Sequence, residues 1–429
     1  MERLIISQLA EWKNKENRKP LVLKGARQVG KTWVLKEFGK KHFKKTAYIT
    51  FFKNQRMKNV FEDDYNLERI LANINIECKT EVTPEDTLII LDEIQECPKA
   101  LEALKYFCED APQYAVAAAG SLLGLALHKG VSFPVGKVDT MNMHPLNFRE
   151  FLMAMGEDQL AAALAEADSQ LINDFHGTYI YWLKNYMYTG GMPAVVQFFS
   201  ERKDYEEVRN IQNQILADYE DDFGKHIPKE QISKVRLVWN SIPSQLAKEN
   251  KKFFFGKIKQ GARAKDFEDA IELLKDCGLI TKVHKVSKPA VPLKTYADFT
   301  SFKLYFVDVG LLGAHSGLDA SSILNENELF VEFKGALAEQ HVLQQIVSDT
   351  KFVPYYYSGE KATYELDFLI QKNGKIVPIE VKAGESVRSK SLSFFHEKYQ
   401  NDSSVRFSLA KICAQDWLTN LPLYAVTRL

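Results

Sequence analysis

Leu21-Val22-Leu23-Lys24-Gly25-Ala26-Arg27-Gln28-Val29-Gly30-Lys31-Thr32 is an apolar run that ends in a glycine-framed loop and a lysine–hydroxyl pair. It fits G-x-x-x-x-G-K-[ST] without a mismatch, between a strand pattern and a helix pattern, the setting in which such a loop cradles phosphate. The chemistry explains each position. Glycine lets the backbone fold into a nest whose N–H groups face the anion, and the helix that follows adds its positive end. Lys31 is expected to reach the β- and γ-phosphates of ATP, and the Thr32 hydroxyl to ligate Mg²⁺. All of Gly25, Ala26, Arg27, Gln28, Val29, Gly30, Lys31 and Thr32 are therefore candidate nucleotide contacts.

Further along, Thr87-Leu-Ile-Ile-Leu-Asp92-Glu93 is an apolar strand that ends in two carboxylates. Open α/β sheets bind ligands at that end of their strands. Asp92 is expected in the Mg²⁺ shell, and Glu93 as the group that polarises the attacking water. A third strand, Val116–Ala119, runs into Gly120-Ser121. Ser121 reads either as a sensor of the γ-phosphate or as an ordinary helix-cap serine. Lys137 and Arg149 follow as candidates for charge stabilisation in a neighbouring subunit, with a plain surface cation as the alternative.

The first 150 residues alternate short apolar runs with helical patterns, as a parallel sheet flanked by helices does. Strands are predicted at Leu21–Lys24, Ala47–Phe52, Thr87–Leu91, Tyr114–Ala119 and Val138–Met143, with Leu21–Leu23 and Leu88–Leu91 as the central pair. Helices are predicted at Thr32–Phe43, Leu67–Ile76 and Lys99–Cys108. The whole chain has 429 residues, 45% apolar and 26% charged, which suits a globular protein of several domains. Lys plus Arg equals Asp plus Glu at 56 each, but the charge is unevenly spread. Residues 161–228 carry 5 basic and 11 acidic side chains, whereas 229–300 carry 15 basic and 8 acidic. The five cysteines are scattered, without a C-x-x-C pair, which argues against a zinc or disulfide framework. There is no signal-like N-terminus and no apolar run long enough to span a membrane, so the expected location is cytoplasmic.

From about 146 to 226 the pattern is helical and acidic, broken at Thr189-Gly-Gly-Met-Pro193. Residues 229–313 read as helices (Ile232–Leu246 and Ala264–Cys277 among them) followed by a ribbon of Ile280–Val286 and Lys303–Val307. That arrangement suggests a winged helix-turn-helix. Lys248–Lys265 with Phe253–Phe255 would suit a DNA backbone, or docking on the acidic segment. Asp218–Asp222 reads as a solvated acidic face. Beyond lies a long helix, Leu329–Asp349, then strands Phe352–Tyr357, Tyr364–Gln371 and Lys375–Lys382 with a hairpin turn at Lys372-Asn373-Gly374. Glu380 and Lys382, two apart on a strand, share a face with Asp367 on the paired strand. With Glu339 on the long helix, they could hold Mg²⁺ against a phosphodiester. An ordinary exposed Glu–Lys pair is the alternative.

These motifs, in this order, resemble the bacterial and archaeal AAA-type ATPases that carry a C-terminal nuclease-like domain of unknown function. The likeness rests on Gly25–Thr32, Leu88–Gln95, Ala119–Leu122, Phe133-Pro-Val-Gly-Lys137, His144-Pro-Leu-Asn-Phe-Arg-Glu-Phe-Leu152 and Gly190-Gly-Met-Pro193. The D-x₁₂-E-x-K pattern at Asp367, Glu380 and Lys382, with Glu339 upstream, resembles the PD-(D/E)xK nuclease core, although Leu366 stands where that core has proline. Lys137 departs from the arginine usual in the family, and lysine lacks a planar bidentate clamp. The resemblance implies an α/β P-loop ATPase domain (1–155), a helical lid (156–228), a winged helix (229–318) and an α+β restriction-endonuclease-like domain (319–429). The expected activity is an ATP- and Mg²⁺-dependent switch that couples nucleotide state to DNA, with contacts to DNA through residues 229–300 and a homo-oligomer or protein partner. The rivals are an ATP-regulated DNA nuclease and a signalling or scaffold ATPase whose C-terminal domains bind protein.

Overall fold

The computed structural model describes residues 2–120, 132–166, 169–248, 251–320, 331–359, 364–386 and 388–429, with the side chains of residues 226, 331 and 332 excepted. The chain divides into two compact units. One comprises Arg3–His144 with Asp276–Gly278; the other comprises Met1–Glu2, Pro145–Lys275 and Leu279–Leu429.

In the first unit, strands β1 (Leu21–Lys24), β2 (Lys45–Thr50), β3 (Thr87–Asp92), β4 (Ala115–Ala119) and β5 (Asp139–Asn142) form one sheet in the order β2-β3-β4-β1-β5. Every pairing is parallel. Leu21–Leu23 on β1 and Leu88–Leu91 on β3 take interior positions as expected, with β4 between them at the centre, and these residues are buried because both faces of the sheet are covered. The strand predicted at Ala47–Phe52 instead begins at Lys45 and ends at Thr50. Its edge position leaves its alternate residues half-exposed, which blurs the apolar signal.

Helices α1 (Ile5–Lys13), α2 (Lys31–His42), α3 (Gln55–Asp63), α4 (Leu67–Cys78) and α5 (Pro98–Asp110) flank this sheet. On α2, Val34, Leu35 and Phe38 recur at helical spacing and are fully buried, while Lys40, Lys41 and His42 occupy the last turn, where the helix end is negative. Pro98 starts α5, where its missing N–H costs nothing. Neither α1 nor α3 was apparent from periodicity.

The second unit is helical through α6 (Phe148–Ala154), α7 (Asp158–Glu166), α8 (Ser169–Asp174), α9 (His176–Thr189), α10 (Pro193–Arg202), α11 (Tyr205–His226) and α12 (Lys229–Leu246). α13 (Ala264–Asp276), α14 (Val309–His315), α15 (Val331–Asp349) and α16 (Lys390–Tyr399) follow. The break read at Gly190–Pro193 separates α9 from α10: Gly190 takes φ +69°, and Pro193 opens α10. A Cβ on Gly191 would lie 2.0 Å from the Leu146 carbonyl oxygen, so close approach of two backbones also requires glycine there.

An eight-stranded sheet joins β6 (Ile280–Val286), β7 (Ala297–Phe306), β8 (Tyr355–Ser358), β9 (Glu365–Lys372), β10 (Lys375–Val381), β11 (Ser404–Ser408), β12 (Cys413–Ala414) and β13 (Leu418–Pro422). The order is β12-β13-β11-β10-β9-β8-β6-β7, with the predicted hairpin turn between β9 and β10. Two differences from the sequence reading matter. β7 begins at Ala297 rather than Lys303, because an irregularity between His284 and Lys285 breaks the alternation there. The β6–β7 ribbon is also not free-standing: it meets β8 through the Lys285–Tyr356 pair and forms the sheet's edge. α16 and strands β11–β13 carry no clear periodicity and were not foreseen.

Candidate functional site

The phosphate loop leaves β1 at Gly25, which sits at φ +145°. A Cβ there would fall 2.2 Å from the Met143 carbonyl oxygen at the end of β5, so no other residue fits without moving that strand end. Gln28 and Gly30 also have positive φ, at 66° and 96°, and Gly30 caps α2 in the left-handed region. These turns build a nest-like backbone at a helix N-terminus, the shape an anion requires. Val29 is buried, and its carbonyl accepts from Arg3 Nη1 at 2.9 Å, while Arg3 Nη2 donates to the His144 carbonyl at 2.7 Å. Arg3 thus ties the crest of the loop to the chain just past β5. Nothing in the local sequence around Arg3 signals this role.

Lys31 is buried and donates to the carbonyls of Gly25 at 2.9 Å and Ala26 at 2.6 Å. Burial pulls its pKa down to about 8, against the attraction of Glu93 and Asp92. The Thr32 hydroxyl donates to Asp92 Oδ2 at 2.8 Å. The hydroxyl of Tyr48, on β2, donates to the same oxygen at 2.9 Å, and Lys36 lies 3.6 Å from the centre of the Tyr48 ring. Burial and the Asp92 charge raise the Tyr48 pKa, so the phenol keeps the proton it donates. Asp92 Oδ1 accepts from the Glu93 amide at 3.1 Å. Glu93 takes a left-handed φ of 51°, which carries its carboxylate off the strand line, and Gln95 Nε2 donates to it.

The loop, Thr32, Asp92 and Glu93 therefore meet at one sheet edge, as the sequence suggested. Tyr48 was missed, although it sits one pleat before the end of β2, beside β3. Ser121 lies outside the described residues. A hydroxyl and a carboxylate side by side at a positive helix end fit a phosphate-bound magnesium ion. Lys137 is paired with Glu109 at 2.7 Å. Arg149 belongs to the second unit, where its Nε donates to the Ala161 carbonyl at 3.3 Å. The first unit ends at His144 because α6 is anchored elsewhere: Phe148 N donates to Gln345 Oε1 at 2.7 Å.

The four C-terminal candidates are also on the described chain: Glu339 and Glu380 are buried, and Glu380, next to the Ile379–Phe368 pair, stands across from Asp367 on β9. Glu339 is buried on α15 and in hydrogen-bond contact with Asp367 on β9. Two lysines reach this pair, one of them from the basic stretch Lys248–Lys265. Lys251 is bonded to Glu339, and Lys303, on β7, lies 3.9 Å from Glu339 and 2.6 Å from Glu365. Tyr305 donates to Glu339 Oε2 at 3.2 Å, and Asp367 Oδ2 accepts from the Val381 amide at 2.7 Å. Glu380 instead pairs with Lys382 at 2.5 Å. Among the described residues, no group of three His, Cys, Asp or Glu side chains could hold a metal ion. Ammonium groups of Lys251 and Lys303 already stand against Glu339, where a nuclease of this pattern would bring its metal. No described helix is long and apolar enough to cross a membrane.

Residues 17–152 match the family described as an AAA domain, which supports an AAA-type P-loop ATPase. Residues 180–322 and 334–424 match two families described only as domains of unknown function, DUF8612 and DUF4143. A comparison with curated proteins found no match. Among solved structures, the Walker-type ATPase PABY2304 of Pyrococcus abyssi is 13% identical, with a TM-score of 0.46 over 73% of this chain and 95% of its own. Aeropyrum pernix ORC1, solved in complex with DNA, is 14% identical, with a TM-score of 0.27 over 73% of this chain and 91% of its own. AMPPCP-bound DnaA from Aquifex aeolicus is 14% identical, with a TM-score of 0.23 over 63% and 85%. Likenesses this distant say nothing about activity here.

Proposed function

We propose that the chain binds and hydrolyses ATP with Mg²⁺ and works as a nucleotide-driven switch. The observation that carries this reading is the 2.8 Å bond from Thr32 to Asp92, which joins the phosphate loop to the acidic end of β3 across 60 residues of sequence. In this reading the amides of Gly25–Thr32 hold the phosphates, and Lys31 turns from its two carbonyls to the β- and γ-phosphates. Thr32 and Asp92 hold Mg²⁺, which neutralises charge on the phosphate oxygens when bound. Glu93 orients and deprotonates water, with Ser121 as a further polar contact. The domain limits 1–155, 156–228, 229–318 and 319–429 belong to the same proposal.

The partner we infer for the switch is DNA, engaged by the basic segment 229–300. Its excess of cations supports this. The ATP-licensed nuclease draws no support from Glu339, given its two lysine neighbours. ATP turnover should rise with DNA at low salt, and Lys31→Ala should abolish both basal and stimulated rates. Failure to bind DNA even at low salt would favour a protein partner. Unchanged turnover in Lys31→Ala would remove the ATPase itself.

Two further outcomes follow from the site. A lysine that titrates at about 8 must be protonated to meet phosphate. ATP affinity should be level below that pH and fall about tenfold per pH unit above it, with proton uptake on binding. Calorimetry in buffers of different ionisation enthalpy measures the uptake; a flat affinity across this range with no uptake would contradict the role given to Lys31. Tyr48→Phe removes one of two donors from Asp92 Oδ2. Its hydrogen bond to a charged carboxylate is worth about 1.5 kcal/mol, so the Mg²⁺ concentration for half-maximal turnover should shift by about tenfold while the rate at saturating Mg²⁺ holds. A lower saturating rate with unchanged Mg²⁺ dependence would argue against positioning by Tyr48.

A further inference from the structure

The carboxylates of Glu339, Glu365 and Asp367 come from helix α15 and strand β9, and they converge around a single buried ammonium. Lys303 has 0% side-chain exposure, and its Nζ lies 2.6 Å from Glu365 and 3.9 Å from Glu339. Its ring neighbour is Tyr356, 4.9 Å from ammonium to ring centre. Lys251 approaches Glu339 from the chain between α12 and α13, and 13% of its side chain is exposed. Tyr305 adds a hydroxyl, which donates a hydrogen bond to the second Glu339 oxygen. Each Glu339 oxygen thus has a donor, and Asp367 is held by the Val381 amide.

An ionised carboxylate at this depth is costly unless it is paired and hydrogen-bonded. In a metal-dependent nuclease, a divalent cation supplies the pairing. Here two ammonium groups supply the same total charge of +2, one fully enclosed and one at the rim. We propose that Lys303 and Lys251 occupy the cation position of this carboxylate cluster, which is a metal-free centre that clasps β7 and the chain around residue 251 to α15. The two lysines differ in kind. Lys303 is permanent, because its ammonium is fully enclosed and has no route to water that leaves β7 in place. Lys251 is the removable half, because its stem reaches the surface and its ammonium can be rehydrated without unfolding β7.

This is tested on the full chain without nucleotide, by titrating Mn²⁺ and following bound metal by electron paramagnetic resonance. The wild type is expected to bind no Mn²⁺ that Asp367→Asn removes. Lys251→Ala is expected to acquire a site for Mn²⁺, to lose it again when combined with Asp367→Asn, and to gain thermal stability with the ion. Lys303→Met should do the same if it folds; circular dichroism decides that, and Lys251→Ala carries the test alone if it does not. Binding of Mn²⁺ by the wild type in a manner sensitive to Asp367→Asn would overturn the proposal. So would a folded Lys251→Ala that binds none, since the rim lysine would then not be what excludes the ion.

Discussion

Glu93→Gln is expected to leave ATP bound and to cut its turnover by about 10²–10⁴-fold, the usual contribution of a positioned general base. The change is nearly isosteric and keeps the left-handed turn at residue 93, so the loop and Asp92 should be undisturbed. What it removes is the carboxylate's ability to take a proton from water. Nucleotide binding, measured with a fluorescent ATP analogue, separates this from a damaged pocket. If turnover in the variant stays within about tenfold of the parent, Glu93 is not the base. If binding is lost as well, the substitution has disturbed the pocket and the contact between Gln95 and Glu93 has a structural part.

The second large effect lies far from the phosphate loop in sequence. Asp308 is fully buried at the start of α14. Its Oδ2 accepts from the Gly191 amide at 2.7 Å and from Gln344 Nε2 at 2.9 Å, and its Oδ1 accepts from the Leu311 amide at 3.1 Å. One side chain therefore satisfies donors on three elements. Asp308→Ala orphans all three, and each buried, unpaired donor costs about 1–3 kcal/mol, so a loss of about 3–5 kcal/mol of stability is expected in the second unit. Chemical denaturation should show the midpoint of that unit falling while the unit of Arg3–His144 keeps its own. Asp308→Asn should lie between, because an amide oxygen can still accept from Leu311 N. An unchanged midpoint in Asp308→Ala would mean that water replaces the carboxylate and that the junction is not dry. Gly190 belongs to the same junction: a Cβ on it would lie 2.0 Å from Asp308 Oδ1, so substitution there should cost stability too.

Features governed by neighbours a few residues away were open to reading from residue order alone. The phosphate loop is one, because strand, glycine positions, lysine and helix start are contiguous, and backbone sterics confine such a segment to few conformations. The acidic end of β3 and the helix break at Gly190–Pro193 are others. Each depends on apolar runs and on the special φ preferences of glycine and proline, which are properties of a short stretch.

The pairings that complete these features needed the folded chain. Tyr48 reaches Asp92 across 44 residues, Lys251 reaches Glu339 across 88, and Asp308 reaches Gly191 across 117. No short-range rule connects such positions, since a tyrosine, a lysine or an aspartate in isolation is compatible with any polar surface. Their partners are set by strand order and by which side chains burial forces to share a dry space, where an unpaired charge is too costly to persist. For that reason the strand, glycines and helix start of the phosphate loop could be read from residue order, whereas the two lysines beside Glu339 came into view only once β7, β9 and α15 were brought together.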